Sequence, residues 1–334
     1  MLSICIPTYN RPESLDNCLN SIKIAKKEAA NFKFEVCISD NSDNEYNINL
    51  IKKYKVYYNI KYIKNSKNLG FGKNAIQAIS LATKKFSWMI GDDDLILPYA
   101  FVELQKIFNE NPEVDFFFIN SFFLEKKKDK FKNKIINTYR FDLKKLNSMS
   151  KFQQSRKLTF WKLIDPDISW DFLIGIFFSI FNTLKYKKSL NVINYRNLED
   201  IRPWSNFDNT CLHPKIICNS FKNSPSFFCA KPLSVNLIGI REWTDLYEFV
   251  EIIRIPELLD YYRSQGLNFF SYIYCKNFSL RNFSNYFFKI VTGGEKKGKY
   301  YINYYEHVLK NLLFPNVYLS FFYYLSRKIK GTFK

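Results

Sequence analysis

Short, wholly apolar runs alternate with amphipathic stretches through the first 120 residues. Leu2–Ile6 is an apolar run closed by Pro7, and Phe34–Ser39, Ile60–Lys64, Phe86–Ile90 and Val114–Asn120 repeat the pattern. Runs of this length bounded by turn residues predict buried strands. Between them, Arg11-Pro12-Glu13-Ser14 opens a helix whose Leu15, Cys18, Leu19 and Ile22 recur at helical spacing, and Lys73–Lys84 and Pro98–Asn109 predict two more. Strand and helix in alternation predict an α/β fold with a mostly parallel sheet flanked by helices. In such sheets ligands gather beyond the carboxyl ends of the strands. The polar clusters Thr8-Tyr9-Asn10, Asp40-Asn41 and Asp92–Asp94 all fall there.

After Asn120 the alternation stops. Glu125–Lys134 is Lys-rich and reads as a solvated loop or hairpin tip. The aromatic run Phe152–Leu184 predicts helix, as does Asn209–Ser220, where Pro214 is tolerated only in the first turn. Pro232–Ile240 predicts a strand and Trp243–Gln265 a helix, and the tail from Phe269 is dense in Phe, Tyr, Lys and Arg.

Composition narrows the class. With 47% hydrophobic and 24% charged residues over 334 positions, the chain is globular, and intrinsic disorder over most of it is excluded. Its net charge of +19 creates a field that attracts polyanions: nucleic acid, anionic headgroups or nucleotide phosphates. An A/T-rich coding sequence would also raise the Lys count, without removing that field. The seven cysteines form no CxxC pair, and Cys5 and Cys37 lie in strand-like runs, so they read as reduced core residues of a cytosolic protein. The N-terminus lacks a basic segment followed by a long apolar one, so no signal peptide is expected. No run reaches the roughly 18 apolar residues of a membrane span.

Candidate chemistry centres on Asp92-Asp93-Asp94. Three adjacent carboxylates repel one another, and their hard oxygens suit Mg²⁺ or Mn²⁺. An aspartate capping the next helix accounts for one of them, not three. Gly70-Phe71-Gly72-Lys73-Asn74 leads into a helix and lets backbone amides approach an anion, although its spacing is neither that of a P-loop nor of a dinucleotide fingerprint, and a simple turn reads equally well.

Four segments together resemble glycosyltransferase family 2. Ser3-Ile4-Cys5-Ile6-Pro7-Thr8-Tyr9-Asn10-Arg11 is similar to its opening strand and loop. Val36–Ser42 is similar to its second strand, whose Asp, here Asp40, contacts the nucleotide base. Asn68-Leu69-Gly70 with Asn74 resembles its N-x-G…N segment, and Gly91–Pro98 its DxD metal loop. The resemblance implies a GT-A fold with a Rossmann-like sheet, a nucleotide-sugar donor, Mg²⁺ or Mn²⁺, and inversion at the anomeric carbon. Gly91 stands where many members carry Asp, which leaves the ligands open among Asp92, Asp93 and Asp94, with Asp92 and Asp94 favoured. Pro7, Thr8, Tyr9, Asn10, Arg11, Asp40, Asn68, Gly70, Lys73, Asn74, Asp92 and Asp93 are the expected donor-site residues.

The resemblance further implies residues 1–240 as the transferase domain, with a nucleotide-sugar and metal half at 1–120 and an acceptor half at 121–240. Residues 241–334 form a helical, basic, aromatic-rich region. Phe207–Pro214 and Trp243 after Gly239 resemble O-antigen and capsule enzymes similar to abequosyltransferases. The acceptor base is expected at Asp208, with Glu199-Asp200 and then Asp171 as alternatives. His213 is a candidate third metal ligand or a helix-start histidine bonded to backbone. The acceptor is then a growing, lipid-linked surface glycan. The basic aromatic tail suits an anionic headgroup layer on the inner face of the cytoplasmic membrane, or else is a core helix with a solvated end. A non-catalytic basic module binding membrane or nucleic acid leaves the Asp triplet unexplained, because uncompensated carboxylates repel a polyanion. No nucleic acid partner is therefore expected. A nucleotidyltransferase would need a Gly-rich loop after the first strand, which is missing.

Overall fold

The computed structural model describes residues 1–125, 135–238 and 242–332. The Lys-rich run 126–134, Gly239 and the side chain of Trp243 lie outside them. The first four strands, β1 (Leu2–Thr8), β2 (Phe34–Asp40), β3 (Ile60–Lys64) and β4 (Phe86–Met89), are parallel, in spatial order β3-β2-β1-β4. Every residue of β1 and β4 is buried. Helices cover both faces of such a sheet, which is why its strands read as continuous apolar runs without alternation. Helix α1 (Pro12–Glu28) follows β1, with Pro at its start, Glu13 in its first turn and Lys26 and Lys27 in its last. Both charge placements suit the helix dipole. Helices α2 (Tyr46–Lys55) and α3 (Gly70–Ser80) connect β2 to β3 and β3 to β4.

Beyond β4 the sheet becomes mixed. The short strand β5 (Asp94–Ile96) opens directly from the acidic loop and leads to helix α4 (Ala100–Glu110). Strand β6 (Phe116–Glu125) pairs with the two-residue β7 (Asn147–Ser148), and β8 (Arg156–Thr159) follows. Strand β9 (Ser179–Asn182) runs antiparallel to both β4 and β6 and fills the gap between them. Helix α5 (Thr183–Lys188) follows, then α6 (Phe207–Thr210), α7 (Leu212–Phe221) and the long strand β10 (Pro225–Ile238). The last lies parallel to β6 and antiparallel to β5 and β8.

The helix predicted over Phe152–Leu184 is thus replaced by strands β8 and β9 and tight single turns at Phe160–Leu163 and Ile176–Phe178. An apolar run buried on all sides carries no periodicity to separate strand from helix. The open edges of β4 and β6 decide it, since both need a pairing strand. The helix predicted over Trp243–Gln265 is likewise broken. After Glu242–Leu246 come α8 (Tyr247–Phe249), a π-helical turn at Val250–Arg254, and α9 (Ile255–Ser264), with Pro256 in its first turn. Proline cannot donate the backbone bond an uninterrupted helix would need there.

The chain closes with α10 (Phe269–Ser279), α11 (Phe283–Gly293), α12 (Tyr304–His307) and α13 (Pro315–Thr332). They build a second apolar cluster around Phe249, Ile252, Ile253, Leu280, Phe283 and Ile290, against which Trp204 and Ile174 of the preceding half also pack. Among the described residues no helix is long and apolar enough to cross a membrane.

Candidate active site

The chain winds away from β1 in both directions, to β2 on one side and β4 on the other. The crevice between the carboxyl ends of β1 and β4 is therefore the topological switch point, where ligands of open α/β sheets bind. Thr8, the last residue of β1, donates its hydroxyl to Asp92 Oδ2 at 2.7 Å. Arg11 lies three residues on, with Nη2 2.7 Å from Asp92 Oδ1 and Nη1 3.5 Å from Asp93 Oδ2. Asp92, Asp93 and Asp94 are all at most 1% exposed. Adjacent buried anions are stable only when paired, and Arg11 supplies a cation to the first two. Below the loop, the Cys18 thiol is pushed well up by burial and then by the charges of Asp94, Asp92 and Asp93.

Asp94 has a different task. Its Oδ2 accepts from the Gly91 amide at 2.6 Å and its Oδ1 from Asn236 Nδ2 of β10, also at 2.6 Å. Because Asp94 begins β5, which pairs with β10, its carboxylate braces the loop from below. Asp92 and Asp93 are the carboxylates that Arg11 approaches.

On the β2 side, Asp40 is fully buried and accepts from the Ser42 amide at 2.8 Å, Asn47 Nδ2 at 3.0 Å and the Tyr62 hydroxyl at 2.8 Å. Burial, and then Asp40, raise the Tyr62 pKa, so Tyr62 stays a donor. The loops after β1 and β2 are tied together. The Asn10 amide donates to Ser42 Oγ, Asn10 Nδ2 and the Tyr9 hydroxyl donate to Asp43, and the Asp43 amide donates back to Asn10 Oδ1. Asn10 reaches this geometry with φ of 51°, a left-handed conformation that Asn tolerates better than most residues. Pro7 pairs in register with Ser39 within the sheet.

Asparagines join the three strand ends to α3. Asn74 Nδ2 donates to the Thr8 carbonyl at 3.1 Å, Asn65 Nδ2 to Asn74 Oδ1 and Asn41 Oδ1, and Asn41 Nδ2 to Asn68 Oδ1, which also accepts the Gly70 amide. Asn65 was not anticipated from sequence, nor was Asn236. Gly70 has φ of 75°, and a Cβ there would lie 3.0 Å from Ile201 Cγ2. Gly72 is similarly close to Leu198. The segment 198–201 thus packs onto the start of α3. Lys73 belongs to this contact, with Nζ 2.5 Å from Glu199 Oε1.

The acceptor-half candidates separate clearly. Asp208 is buried, with Oδ1 2.6 Å from Lys215 Nζ and Oδ2 accepting from Asn197 Nδ2 at 2.9 Å and the Asn194 amide at 3.4 Å. Its carboxylate holds the turn at 194–197 to α7. His213 is packed against Phe181 and Tyr186, with Nδ1 3.1 Å from the Tyr186 hydroxyl. Burial drops its pKa to about 3. It sits among the aromatic rings of the core. Asp171, also buried, accepts from the amides of Leu173 and Gly175 and stabilises a turn in which Phe172 and Leu173 both have positive φ. Asp200 remains partly exposed, bonded through both oxygens to Arg202 at 2.9 and 2.7 Å. That guanidinium holds its pKa down at about 2.

A divalent cation fits this site. Among the described residues no group of three or more His, Cys, Asp or Glu side chains is placed to hold a metal. Asp92 and Asp93 instead offer two adjacent carboxylates whose charge the single Arg11 offsets only in part. Such a donor set suits Mg²⁺ or Mn²⁺ when phosphate oxygens and water complete the shell.

The family model described as Glycosyl transferase family 2 matches residues 3–180, more than half of the chain. The chain belongs to glycosyltransferase family 2. Within this family it is similar to an abequosyltransferase of Salmonella typhimurium, 36% identical over 116 residues that make up 34% of each chain. An uncharacterized glycosyltransferase of Methanocaldococcus jannaschii is 28% identical over 199 residues, 52% of this chain and 68% of that one. The aligned part thus spans about a third of the abequosyltransferase. Among solved structures, S. aureus TarS in complex with UDP-GlcNAc superimposes with a TM-score of 0.56 at 18% identity, covering 85% of this chain and 72% of that one. TarS with UDP gives 0.54. These likenesses establish the GT-A fold of this family 2 member.

Proposed function

We propose that the protein transfers a glycosyl group from a nucleoside diphosphate sugar to a hydroxyl of a growing, lipid-linked surface glycan of the O-antigen or capsule kind, with inversion. The observation that carries this reading is the convergence of Thr8, Arg11, Asp92 and Asp93 at the switch point between β1 and β4. That UDP-GlcNAc is the ligand named for TarS supports a nucleotide sugar as donor, and the likeness to an abequosyltransferase supports a surface-glycan acceptor.

In this reading the loops after β1 and β2, tied through Asn10, Ser42 and Asp43, hold the nucleoside, with Asp40 fixing the shape of the β2 turn. The positive end of the α3 dipole would favour the diphosphate. Asp92 and Asp93 would hold Mg²⁺ or Mn²⁺, which when bound supplies Lewis-acid stabilisation of the leaving diphosphate. Arg11 then adds its charge to the same phosphates.

Asp200 takes the acceptor proton. Its carboxylate is accessible and sits beside Ile201, which packs on Gly70 at the start of α3. The acceptor oxygen forms the new bond to the anomeric carbon as its proton passes to Asp200. The bond from that carbon to the diphosphate oxygen breaks, and the electron pair leaves with the nucleoside diphosphate. Attack from the face opposite the leaving group inverts the carbon.

The direct test is turnover of a panel of nucleotide sugars with and without Mn²⁺, using lipid-linked glycan acceptors. The expected result is glycosyl transfer from one donor, abolished by EDTA and restored by Mn²⁺. Transfer that persists unchanged in EDTA removes the metal assignment, and no turnover of any nucleotide sugar with bound UDP absent removes the donor reading.

A further inference from the structure

Immediately after Asp200 the chain makes a turn that the C-terminal region holds from behind. Trp204 has φ of 62°, a left-handed conformation that is costly for a bulky residue. Such a geometry persists only if its surroundings enforce it. Arg254, 3% exposed at the end of the π-helical turn, supplies that constraint. Its Nε and Nη2 donate to the Trp204 carbonyl at 3.2 and 2.9 Å, and Nη2 donates also to the Ser205 carbonyl at 3.0 Å.

A third partner fixes the guanidinium itself. Arg254 Nη1 lies 2.6 Å from Glu257 Oε2, one turn further along. Glu257 Oε1 is 2.8 Å from His307 Nε2, and His307 Nδ1 accepts from the Asn303 amide at 3.0 Å. A buried arginine is costly unless its donors are met, and here carbonyls of one segment and a carboxylate of another meet them. The same segment is held at its other end. Asn209 Nδ2 donates to the carbonyls of Asp200 and Arg202, and the Arg202 guanidinium lies over the Tyr301 ring at 5.5 Å.

We propose that Arg254 is a positioning residue for the 200–205 segment. It sets the place of Asp200 relative to the start of α3, so that the C-terminal helices govern acceptor activation without touching the donor site. The proposal rests on the reading of Asp200 as the base. Arg254 ends a π-helical turn, and such turns are frequent at functional sites.

Three measurements on the full chain decide it: amide hydrogen exchange across residues 198–208, affinity for UDP, and kcat for transfer. In Arg254→Gln, exchange in 200–206 should rise by at least tenfold. The value of kcat should fall by about 10²-fold, the usual cost of misplacing a reacting group by ~1 Å. UDP affinity should stay within about twofold, because its contacts lie in the first half of the chain. Arg254→Lys, which keeps the charge beside Glu257 but has no fork to span two carbonyls, should give the same local exchange with a smaller loss of kcat. Unchanged exchange and kcat in Arg254→Gln would overturn the proposal. So would uniform faster exchange along the whole chain with parallel loss of UDP binding in both variants, which would mark Arg254 as a core anchor only. If Asp200→Asn keeps full turnover while Arg254→Gln still loosens 200–206 and slows transfer, the base is misassigned and the positioning role stands.

Discussion

The hydroxyl of Thr8 donates to Asp92 across 2.7 Å and joins the ends of β1 and β4, the two strands between which the winding of the chain reverses. One bond thus couples the nucleotide-side loop to the acidic loop. Thr8→Val preserves the strand and deletes this donor. It should weaken Mn²⁺-dependent UDP binding, as measured by calorimetry, by roughly tenfold, equivalent to the ~1.4 kcal/mol of a charge-assisted hydrogen bond. Unaltered binding would show that Asp92 is positioned by Arg11 alone.

The three aspartates should behave differently. Asp92→Asn and Asp93→Asn should each abolish metal-stimulated transfer with little change in thermal midpoint. Asp94→Ala leaves the Gly91 amide and the Asn236 side chain without an acceptor and should destabilise the fold by about 1–3 kcal/mol. Chemical denaturation and EDTA-reversible activity, measured side by side, distinguish the two classes. If Asp94→Ala is as stable as the parent, its role as a brace is lost.

The base assignment carries a pH signature. Arg202 holds Asp200 at about 2, below its ordinary 3.8. Arg202→Gln removes the largest cause of that depression, so the acid limb of kcat/KM should move upward, toward 3.8. Asp200→Asn should lower kcat by about 10²–10⁴-fold. Asp208→Asn should keep most of the turnover but lose stability, since it weakens the buried contact with Lys215. Full activity in Asp200→Asn beside an inactive but stable Asp208→Asn would reverse the assignment.

His213 makes a stability prediction. Unfolded, it binds a proton below 6.5, whereas folded it stays neutral down to about 3. Within that window unfolding takes up a proton, so stability falls as pH falls, at up to about 1.4 kcal/mol per pH unit. His213→Phe, which suits the neighbouring Phe181 and Tyr186, should flatten the pH dependence of the unfolding free energy between 6.5 and 3. An equally steep dependence in the variant would place the titrating group elsewhere.

The exposed face of α13 predicts membrane association. Leu319, Phe322 and Tyr323 are each over 60% exposed, with Arg327 and Lys328 beside them. Aromatic and aliphatic side chains bordered by basic ones suit an anionic lipid interface. The double variant Leu319→Ser, Phe322→Ser should lose binding to phosphatidylserine vesicles while keeping its UDP affinity. In the parent chain, binding should weaken as salt shortens the Debye length from ~10 to ~3 Å. Equal binding of parent and variant, or binding indifferent to salt, would remove the tail from the interface.

Local pattern alone determined the parallel half of the sheet, its helices and the polar clusters at its strand ends. A buried parallel strand is a continuous apolar run, and a strand-end loop must be polar, so both leave marks in neighbouring residues. The acidic loop, Gly70 and the asparagines Asn68 and Asn74 were legible for the same reason. Tertiary structure alone decided which partners each aspartate meets. Asp92, Asp93 and Asp94 are chemically identical in sequence, and what separates them is Arg11 from one loop and Asn236 from a strand more than 140 positions away. It also turned the run around Ser179–Asn182 into a strand, because the unpaired edges of β4 and β6 flank it. The partners of Asp208 and Asp200 are likewise ones that no local motif encodes, Lys215 in one case and Arg202, with the Arg254 clamp on the same segment, in the other. Propensity and patterning act over a few residues. The occupation of a carboxylate depends on which donors folding brings within 3 Å, and that depends on the packing of the whole chain.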